Sequence, residues 1–268
     1  MKEKRDIVVC LDGGNPDKFP EAYIEAGIYK KDVLKEEIEI KEVSQHMDKI
    51  KNRVNEVVPD SIKEYIDGRR NLRYYTYLKS FLMTICREDD SILDVGSRGI
   101  DMLSFLPCKR KKSIDLQYPY SDENTEGITG DYLDYHPEGL DIITCFQVLE
   151  HIGDNQVGVF AKKLLSDARI AIVSLPYMWP KTKCKWHVQD PVDVDKITSW
   201  FGRNPVFIQI IKEKDNESRI VLVFIEGCNP DIDLDYWRED ARKTAKNLKW
   251  KLESNQILTR LLSKLRKS

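Results

Sequence analysis

The feature that most constrains the fold is a change in the sequence pattern after residue 90. From there on, short apolar runs alternate with segments long enough to form helices. Parallel strands need long crossover connections, so this alternation predicts an α/β fold with a mostly parallel sheet and helices on both faces. Only a polar turn separates the last two runs, so they are expected to form a hairpin with one antiparallel strand. The seven expected strands are Ser91–Val95, Lys112–Leu116, Gly127–Thr129, Leu140–Cys145, Arg169–Leu175, Val206–Ile211 and Arg219–Ile225.

The segments on either side of this core differ from it in composition. Apolar residues spaced by three and four predict helices over 31–58 and from Asp60 or Ser61 to about Arg87, with a break at Gly68. We therefore expect an N-terminal helical lid at 1–89, a core domain at 90–228 and a basic amphipathic helical extension at 229–268. The whole chain of 268 residues is long enough to bury a core without staples.

Charge and cysteine content narrow the partners that we expect. Residues 241–268 carry a net charge of +8 and the rest of the chain −10. This asymmetry suits membrane-surface contact through 241–268, with docking on the chain's own domain or an oligomer contact as equal alternatives, and it disfavours nucleic acid as a partner of the acidic body. The six cysteines form no CxxC pair and the four histidines are widely spaced. We therefore expect reduced thiols, a cytoplasmic protein that can be peripheral at the membrane, and no metal site.

Four strand ends carry the residues that point to chemistry. The first strand runs into a glycine turn, Gly96–Gly99, and the second ends at Asp115, 21 residues after Asp94. Ligands of α/β sheets bind at the carboxyl ends of strands, where an acid about 20 residues past the glycine turn is suited to accept hydrogen bonds from a ribose. The residues expected around a bound cofactor are Asp94, Gly96, Ser97, Arg98, Gly99, Asp115, Leu116, Asp131, Tyr132, Phe146 and Gln147.

The order and spacing of these motifs resemble the class I S-adenosylmethionine-dependent methyltransferase family over about residues 90–226. Leu93–Gly96 resembles its first motif, Asp115 its ribose-binding acid and Asp131 its adenine-contacting acid. Val148–Ile152 resembles the helix after the fourth strand, and Ser174–Pro176 the turn after the fifth. The resemblance implies a Rossmann-like fold, S-adenosyl-L-methionine as cofactor and methyl transfer as the activity.

The glycine turn departs from the family pattern. Arg98 and Ile100 stand where the family usually has glycines. Arg98 must either point away from the cofactor or bind its methionine carboxylate. A nicotinamide dehydrogenase is the nearest rival, but its G-x-G-x-x-G motif would place Asp101 where a pyrophosphate binds, and a carboxylate repels phosphate. The departure also motivates a second hypothesis, a non-catalytic binding or scaffold protein.

Several of these residues also have a purely structural interpretation. Asp115 and Asp131 can cap turns, and Asp94 can brace the first turn without touching a ligand. Phe146 and Gln147 can pack a helix start. His151 is expected to pack at that same helix start without a chemical role.

The candidate base is His187, in the segment Lys185–Pro191 after the fifth strand. A histidine titrates near neutral pH and can take a proton from the acceptor, with Asp190 orienting it. The alternative is a loop histidine with a structural hydrogen bond. Tyr74, Tyr177 and Trp186 are the expected substrate or lid contacts, and for Tyr74 the alternative is packing on the sheet.

The end of the fourth strand bears on the methyl acceptor. Methyltransferases that modify amide or adenine amino groups carry Asn/Asp-Pro-Pro-aromatic there, whereas this chain has Cys145–Val148. We therefore expect O-methylation of a small molecule or saccharide, with cell-surface glycan synthesis as one setting. RNA methylation remains an alternative.

Overall fold

A seven-stranded sheet forms the centre of the computed structural model, which describes residues 59–70, 72–213 and 217–247. The strand order is β3-β2-β1-β4-β5-β7-β6, with β7 antiparallel to both neighbours and every other pairing parallel. The expected α/β sheet with one antiparallel strand is confirmed. The strands are β1 Ser91–Val95, β2 Arg110–Asp115, β3 Thr125–Thr129, β4 Leu140–Phe146, β5 Ala168–Tyr177, β6 Phe207–Lys212 and β7 Ser218–Ile225.

Helices cover both faces of this sheet. One face packs against α3 (Asp154–Asp167), α4 (Val194–Phe201) and α5, the helical residues 234–247. The other face packs against α2 (Arg73–Ile85) and the loop after β1. Side chains of β1 alternate between the two cores, Leu93 in the first and Ile92 in the second, as the pleat of a strand requires. β1 and β4 are buried along their whole length, as strands covered on both faces of a parallel sheet are.

The predicted N-terminal helix is divided in two. α1 spans Asp60–Arg70 and α2 begins at Arg73, so the break lies after Gly68 and not at it. Leu72 is extended there and ends the first helix. The helix expected over 31–58 and the amphipathic part of the tail at 248–268 lie outside the described residues.

The first three crossover connections differ from the expected helical pattern. In the described structure, residues 96–109, 116–124 and 130–139 form turns and irregular loops. Each contains a proline (Pro107, Pro119 and Pro137) and polar turn formers, which disfavour helices. Helices do follow β4 and β5, as predicted. Among the described residues, no helix has the length and apolar character needed to cross a membrane.

Candidate functional site

The carboxyl ends of the first four strands meet at one edge of the sheet. Val95 lies opposite both Ile114 and Cys145, and Asp115 lies opposite Thr129. The Gly130 N–H donates to the Asp115 carbonyl at 3.0 Å. The predicted glycine turn, Asp115, Asp131 and Phe146 are therefore brought together at the edge where ligands bind in this class of sheet. This edge is called the strand-end cleft below.

The turn after β1 requires glycine at its first position. Gly96, Arg98 and Gly99 have positive φ angles of 76°, 45° and 73°. A Cβ on Gly96 would lie 2.4 Å from Val148 Cγ2, so space as well as conformation excludes other residues there. The Ser97 hydroxyl accepts a hydrogen bond from the Tyr120 N–H at 2.9 Å. This bond attaches the turn to the loop that follows β2.

The Asp115 carboxylate accepts hydrogen bonds from the glycine turn and from the loop after β2, and its binding of a ribose stays a prediction. Its Oδ2 accepts from the Arg98 N–H at 3.1 Å, and its Oδ1 accepts from the Gln117 and Tyr118 N–H groups at 2.9 Å each. A carboxylate has about four acceptor positions, so three bonds leave one for a ligand. Leu116 beside it is 68% exposed. Asp131 is exposed and accepts from the Leu133 N–H at 2.9 Å, as a turn residue does.

Helix α1 covers the glycine turn. Ile66 Cδ1 lies 3.2 Å from the position of a Cβ on Gly99, and the Arg98 guanidinium lies 4.8 Å from the centroid of the Tyr65 ring. Arg69 approaches the same ring at 4.1 Å. Burial raises the pKa of Tyr65 despite these two cations. Arg98 therefore points towards α1, and α1 occupies the place where a lid is predicted.

Asp94 braces the sheet below the turn. It is 3% exposed, and its Oδ1 accepts from the Thr144 hydroxyl of β4 at 2.6 Å. Burial raises the pKa of Asp94 to about 7. These contacts support the structural interpretation of Asp94.

Gln147 and Tyr74 belong to a buried polar network beside the cleft. Gln147 has a φ of 59°, and its backbone N–H donates to the Ser174 carbonyl at 2.9 Å. Its side-chain Oε1 accepts from Arg219 Nε at 3.2 Å. Tyr74 is fully buried, shares a hydrogen bond with the Ser174 hydroxyl and lies under the Arg219 guanidinium at 5.3 Å. Because burial raises the pKa of Tyr74 well above its ordinary value, its hydroxyl stays protonated.

Two histidines meet where β4 and the segment after β5 come together. The ring centroids of His151 and His187 are 4.9 Å apart. His187 Nδ1 donates to Asp190 Oδ2 at 2.8 Å, and His151 Nδ1 donates to the Trp186 carbonyl at 3.0 Å. His151 lies in the helical turn Leu149–His151, where it is expected to pack, and this hydrogen bond ties it to the segment after β5. Asp190 holds His187 as predicted.

Glu150 completes this group. Its side chain is buried, and within the described part of the chain its Oε2 has no hydrogen-bond partner. Burial raises the pKa of Glu150 to about 8. Burial, together with the charges of His187, Arg69 and Arg98, lowers the pKa of His151.

Two of the predicted side chains are buried in the core on the face of α3 and α5. The Tyr132 hydroxyl donates to Asp167 at 2.7 Å, and its ring is buried against α3. The Tyr177 ring is fully buried, and its hydroxyl donates to Asp240 at 2.9 Å. Trp186 is 66% exposed and stacks with the Lys185 ammonium. Their side-chain positions give no support to ligand contacts at Tyr132 and Tyr177.

Sequence reasoning missed several residues of the site. Glu150 and His151 belong to the motif Val148–Ile152. Their approach to His187 depends on the return of the chain after β5, which the motif does not indicate. Tyr65 lies on a helix that showed only an apolar period. Arg219 lies in a strand that is otherwise apolar, and an arginine inside such a strand was the available signal.

Comparison with known proteins identifies the fold. No protein family model matches the chain, and no curated protein matches it by sequence. One matching solved structure is the complex between the Haloferax volcanii Trm112 methyltransferase activator and its methyltransferase partner. The match has a TM-score of 0.50 and 9% identity, and it covers 65% of this chain and 97% of that one. The chain has the class I methyltransferase fold.

Further matches of this methyltransferase fold are named for different acceptors. The 1,6-didemethyltoxoflavin-N1-methyltransferase of Burkholderia thailandensis has 12% identity and a TM-score of 0.48, over 61% of this chain and 84% of that one. The small RNA methyltransferase HEN1 has 16% identity and a TM-score of 0.43, over 59% of this chain and 26% of that one.

Proposed function

We propose that the protein is an S-adenosyl-L-methionine-dependent methyltransferase that transfers a methyl group to a hydroxyl of a small molecule or saccharide. The observation that carries the proposal is the strand-end cleft. There the Asp115 carboxylate accepts the Arg98 N–H and keeps an acceptor position for a ligand. Asp101, which accepts from two backbone N–H groups of its own loop, stands where a dinucleotide would need its phosphate-binding glycine.

The residues of the cleft match the functional groups of the cofactor. Asp115 has the chemistry to accept from ribose hydroxyls, and the exposed Asp131 can accept from the adenine amino group. The Arg98 guanidinium supplies a cation for the methionine carboxylate. When bound, the cofactor supplies a methyl group on a sulfonium, which is displaced in line. The chain itself aligns the acceptor and shields it from water.

The surroundings of the histidine pair support an oxygen acceptor. Trp179 stacks on His187 with ring centroids 5.6 Å apart and lies 5.2 Å from the Arg219 guanidinium. An aromatic ring beside polar groups presents a flat apolar surface with hydrogen-bonding partners, which suits sugars and hydroxylated rings. His187 has Nε2 left for chemistry because Nδ1 is engaged by Asp190. Its role as the base stays a prediction.

Calorimetric titration of the full chain with S-adenosylhomocysteine tests the proposal. We expect a dissociation constant in the micromolar range or tighter for the wild type, and binding weaker by about tenfold or more for Asp115→Asn because a charge-assisted hydrogen bond is lost. Asp89→Asn, at the opposite end of β1, is the matched control and should bind like the wild type. Failure of the wild type to bind would favour the non-catalytic scaffold.

The remaining predictions concern parts of the chain beyond the cleft. Membrane-surface contact through residues 241–268 stays a prediction, because most of that segment lies outside the described residues. A cytoplasmic location and RNA as an alternative acceptor also stay predictions. Removal of 248–268, which leaves α5 in place, should abolish binding to anionic vesicles if the tail is the contact. Salt-dependent RNA binding that is lost with the same deletion would support RNA instead.

A further inference from the structure

We propose that Glu150, His151 and His187 form a binding site for a divalent first-row transition-metal ion. One ligand atom of each residue lies within 4.8 Å of the other two. With metal–ligand bonds of about 2.1 Å, the ligand atoms of a tetrahedral ion lie about 3.4 Å apart, so the longest of these separations must shorten by at most about 1.4 Å. This inference goes against the absence of a metal site that the wide spacing of the histidines suggests.

Both histidines are held in the way that metal ligands are held. A carbonyl or carboxylate can only accept, so His151 and His187 carry their proton on Nδ1, where the Trp186 carbonyl and Asp190 receive it. Each neutral ring therefore has its lone pair on Nε2. Such hydrogen bonds to the second nitrogen fix the tautomer and orientation of a metal-ligating histidine.

The buried carboxylate of Glu150 supplies the independent observation. Glu150 is 1% exposed, and none of the described residues forms a hydrogen bond with its Oε2. A buried polar atom without a partner is costly, and a cation at this point would satisfy it. The backbone at Glu150 is connected to the segment that carries His187, since the Glu150 carbonyl accepts from the Val188 N–H at 2.9 Å.

The donor set indicates the class of ion. Two imidazoles and one carboxylate suit Zn²⁺, Mn²⁺, Fe²⁺ or Co²⁺, whereas Ca²⁺ and Mg²⁺ prefer oxygen ligands alone. Three protein ligands leave coordination positions open for water or another oxygen. If the proposed function holds, the hydroxyl of the methyl acceptor can bind at one of these open positions, where the ion would make it lose its proton more readily. His187 would then bind the metal instead of acting as the base, because one lone pair cannot do both.

The probe is Co²⁺, added to the full-length chain after treatment with a chelator. Binding is followed by calorimetry and by the visible absorption of the ion. The background is Cys184→Ser, because Cys184 is a free, partly exposed thiol three residues before His187 and thiols bind Co²⁺. We expect one ion per chain, with a dissociation constant in the micromolar range or tighter. Asp190→Asn should weaken binding by about 10–100-fold, as loss of an outer partner does, and His187→Gln and Glu150→Gln by more.

His136→Gln is the matched control because His136 is exposed and outside the cluster. It should bind Co²⁺ as the background protein does. Circular dichroism and S-adenosylhomocysteine binding show whether each variant is folded. Co²⁺ binding that is absent in the background protein, or unchanged in the folded His187→Gln and Glu150→Gln variants, would overturn the metal site. Intact S-adenosylhomocysteine binding in that case would leave the proposed function standing, so the two failures are distinguishable.

Discussion

Two aspartates near the glycine turn show how surroundings decide what a carboxylate can do. Asp115 accepts three backbone hydrogen bonds at a partly exposed strand end, so it stays suited to a polar ligand. Asp94 lies within β1, almost without solvent, and has the Thr144 hydroxyl as its partner. Because desolvation penalises the charged form, Asp94 is the residue whose protonation should affect folding.

The pH dependence of stability tests the buried state of Asp94. Its pKa is about 7 in the folded protein against an ordinary value of 3.8, so between those pH values the folded state holds a proton that the unfolded state has lost. The contribution of Asp94 is therefore fully present below about pH 4 and is lost as the pH rises to about 7. Asp94→Asn should remove a decline on the order of 3 kcal/mol, measured by urea unfolding from pH 4 to 8.

Asp122→Asn is the control, because the contribution of Asp122 to stability should change with pH in the direction opposite to that of Asp94. Burial alone would raise the pKa of Asp122, but hydrogen bonds from the Asn124 N–H and the Tyr120 hydroxyl hold it below its ordinary value. Its contribution is present at neutral pH and is lost in acid, so this variant should flatten the acid side of the profile. A slope between pH 4 and 7 that is the same in wild type and Asp94→Asn would show that Asp94 is not protonated in the folded protein.

At the scale of elements, α2 depends on a residue far away in the chain. Leu72 gives the helix no side-chain cap, and the N–H groups of Arg73 and Tyr74 donate instead to Glu213 at 3.1 and 2.8 Å. Glu213 follows β6 and is buried beside Arg219. A carboxylate at a helix N-terminus stabilises the unpaired N–H groups and the helix dipole together.

Glu213→Gln should therefore lower the free energy of unfolding by about 1–2 kcal/mol, because a charged acceptor becomes neutral and the buried Arg219 loses a counter-charge. Chemical unfolding measures this change. Glu226→Gln, an exposed acid after β7, is the control and should change stability by less than about 0.5 kcal/mol. Equal effects of the two substitutions would mean that the contact with α2 contributes nothing.

The apolar pattern could predict α2 but not its cap. Helix and strand periods are local, and they placed all seven strands and the hairpin within a few residues. Glu213 caps a helix that begins 140 residues earlier, at Arg73. His151 and His187 are 36 residues apart. Both contacts depend on tertiary structure, which a local period does not report. The loops after β1, β2 and β3 each contain a proline, which disfavours a helix there. The alternation of apolar runs with long connections predicts helices in the same places, so the two signals conflict and the prolines decide the structure.

At the scale of the whole molecule, α5 closes the sheet on the side opposite α2. The Tyr177 hydroxyl at the end of β5 donates to Asp240, and Ala241 is buried in the same core. Arg238 pairs with Asp195 of α4 at 2.7 Å, at the surface. The described start of the C-terminal extension is thus part of the folded domain, and the predicted boundary at residue 228 does not mark the end of its packing.

Tyr177→Phe tests whether this contact holds α5 in place. The substitution keeps the ring and removes one hydrogen bond to a carboxylate, so we expect a loss of about 1.5–3 kcal/mol in unfolding free energy. Hydrogen exchange should rise within residues 234–247 before it rises in the sheet. Tyr236→Phe is the control, because Tyr236 is 58% exposed on the same helix. If Tyr177→Phe instead weakened acceptor binding with unchanged stability, Tyr177 would be the substrate contact that the sequence suggested.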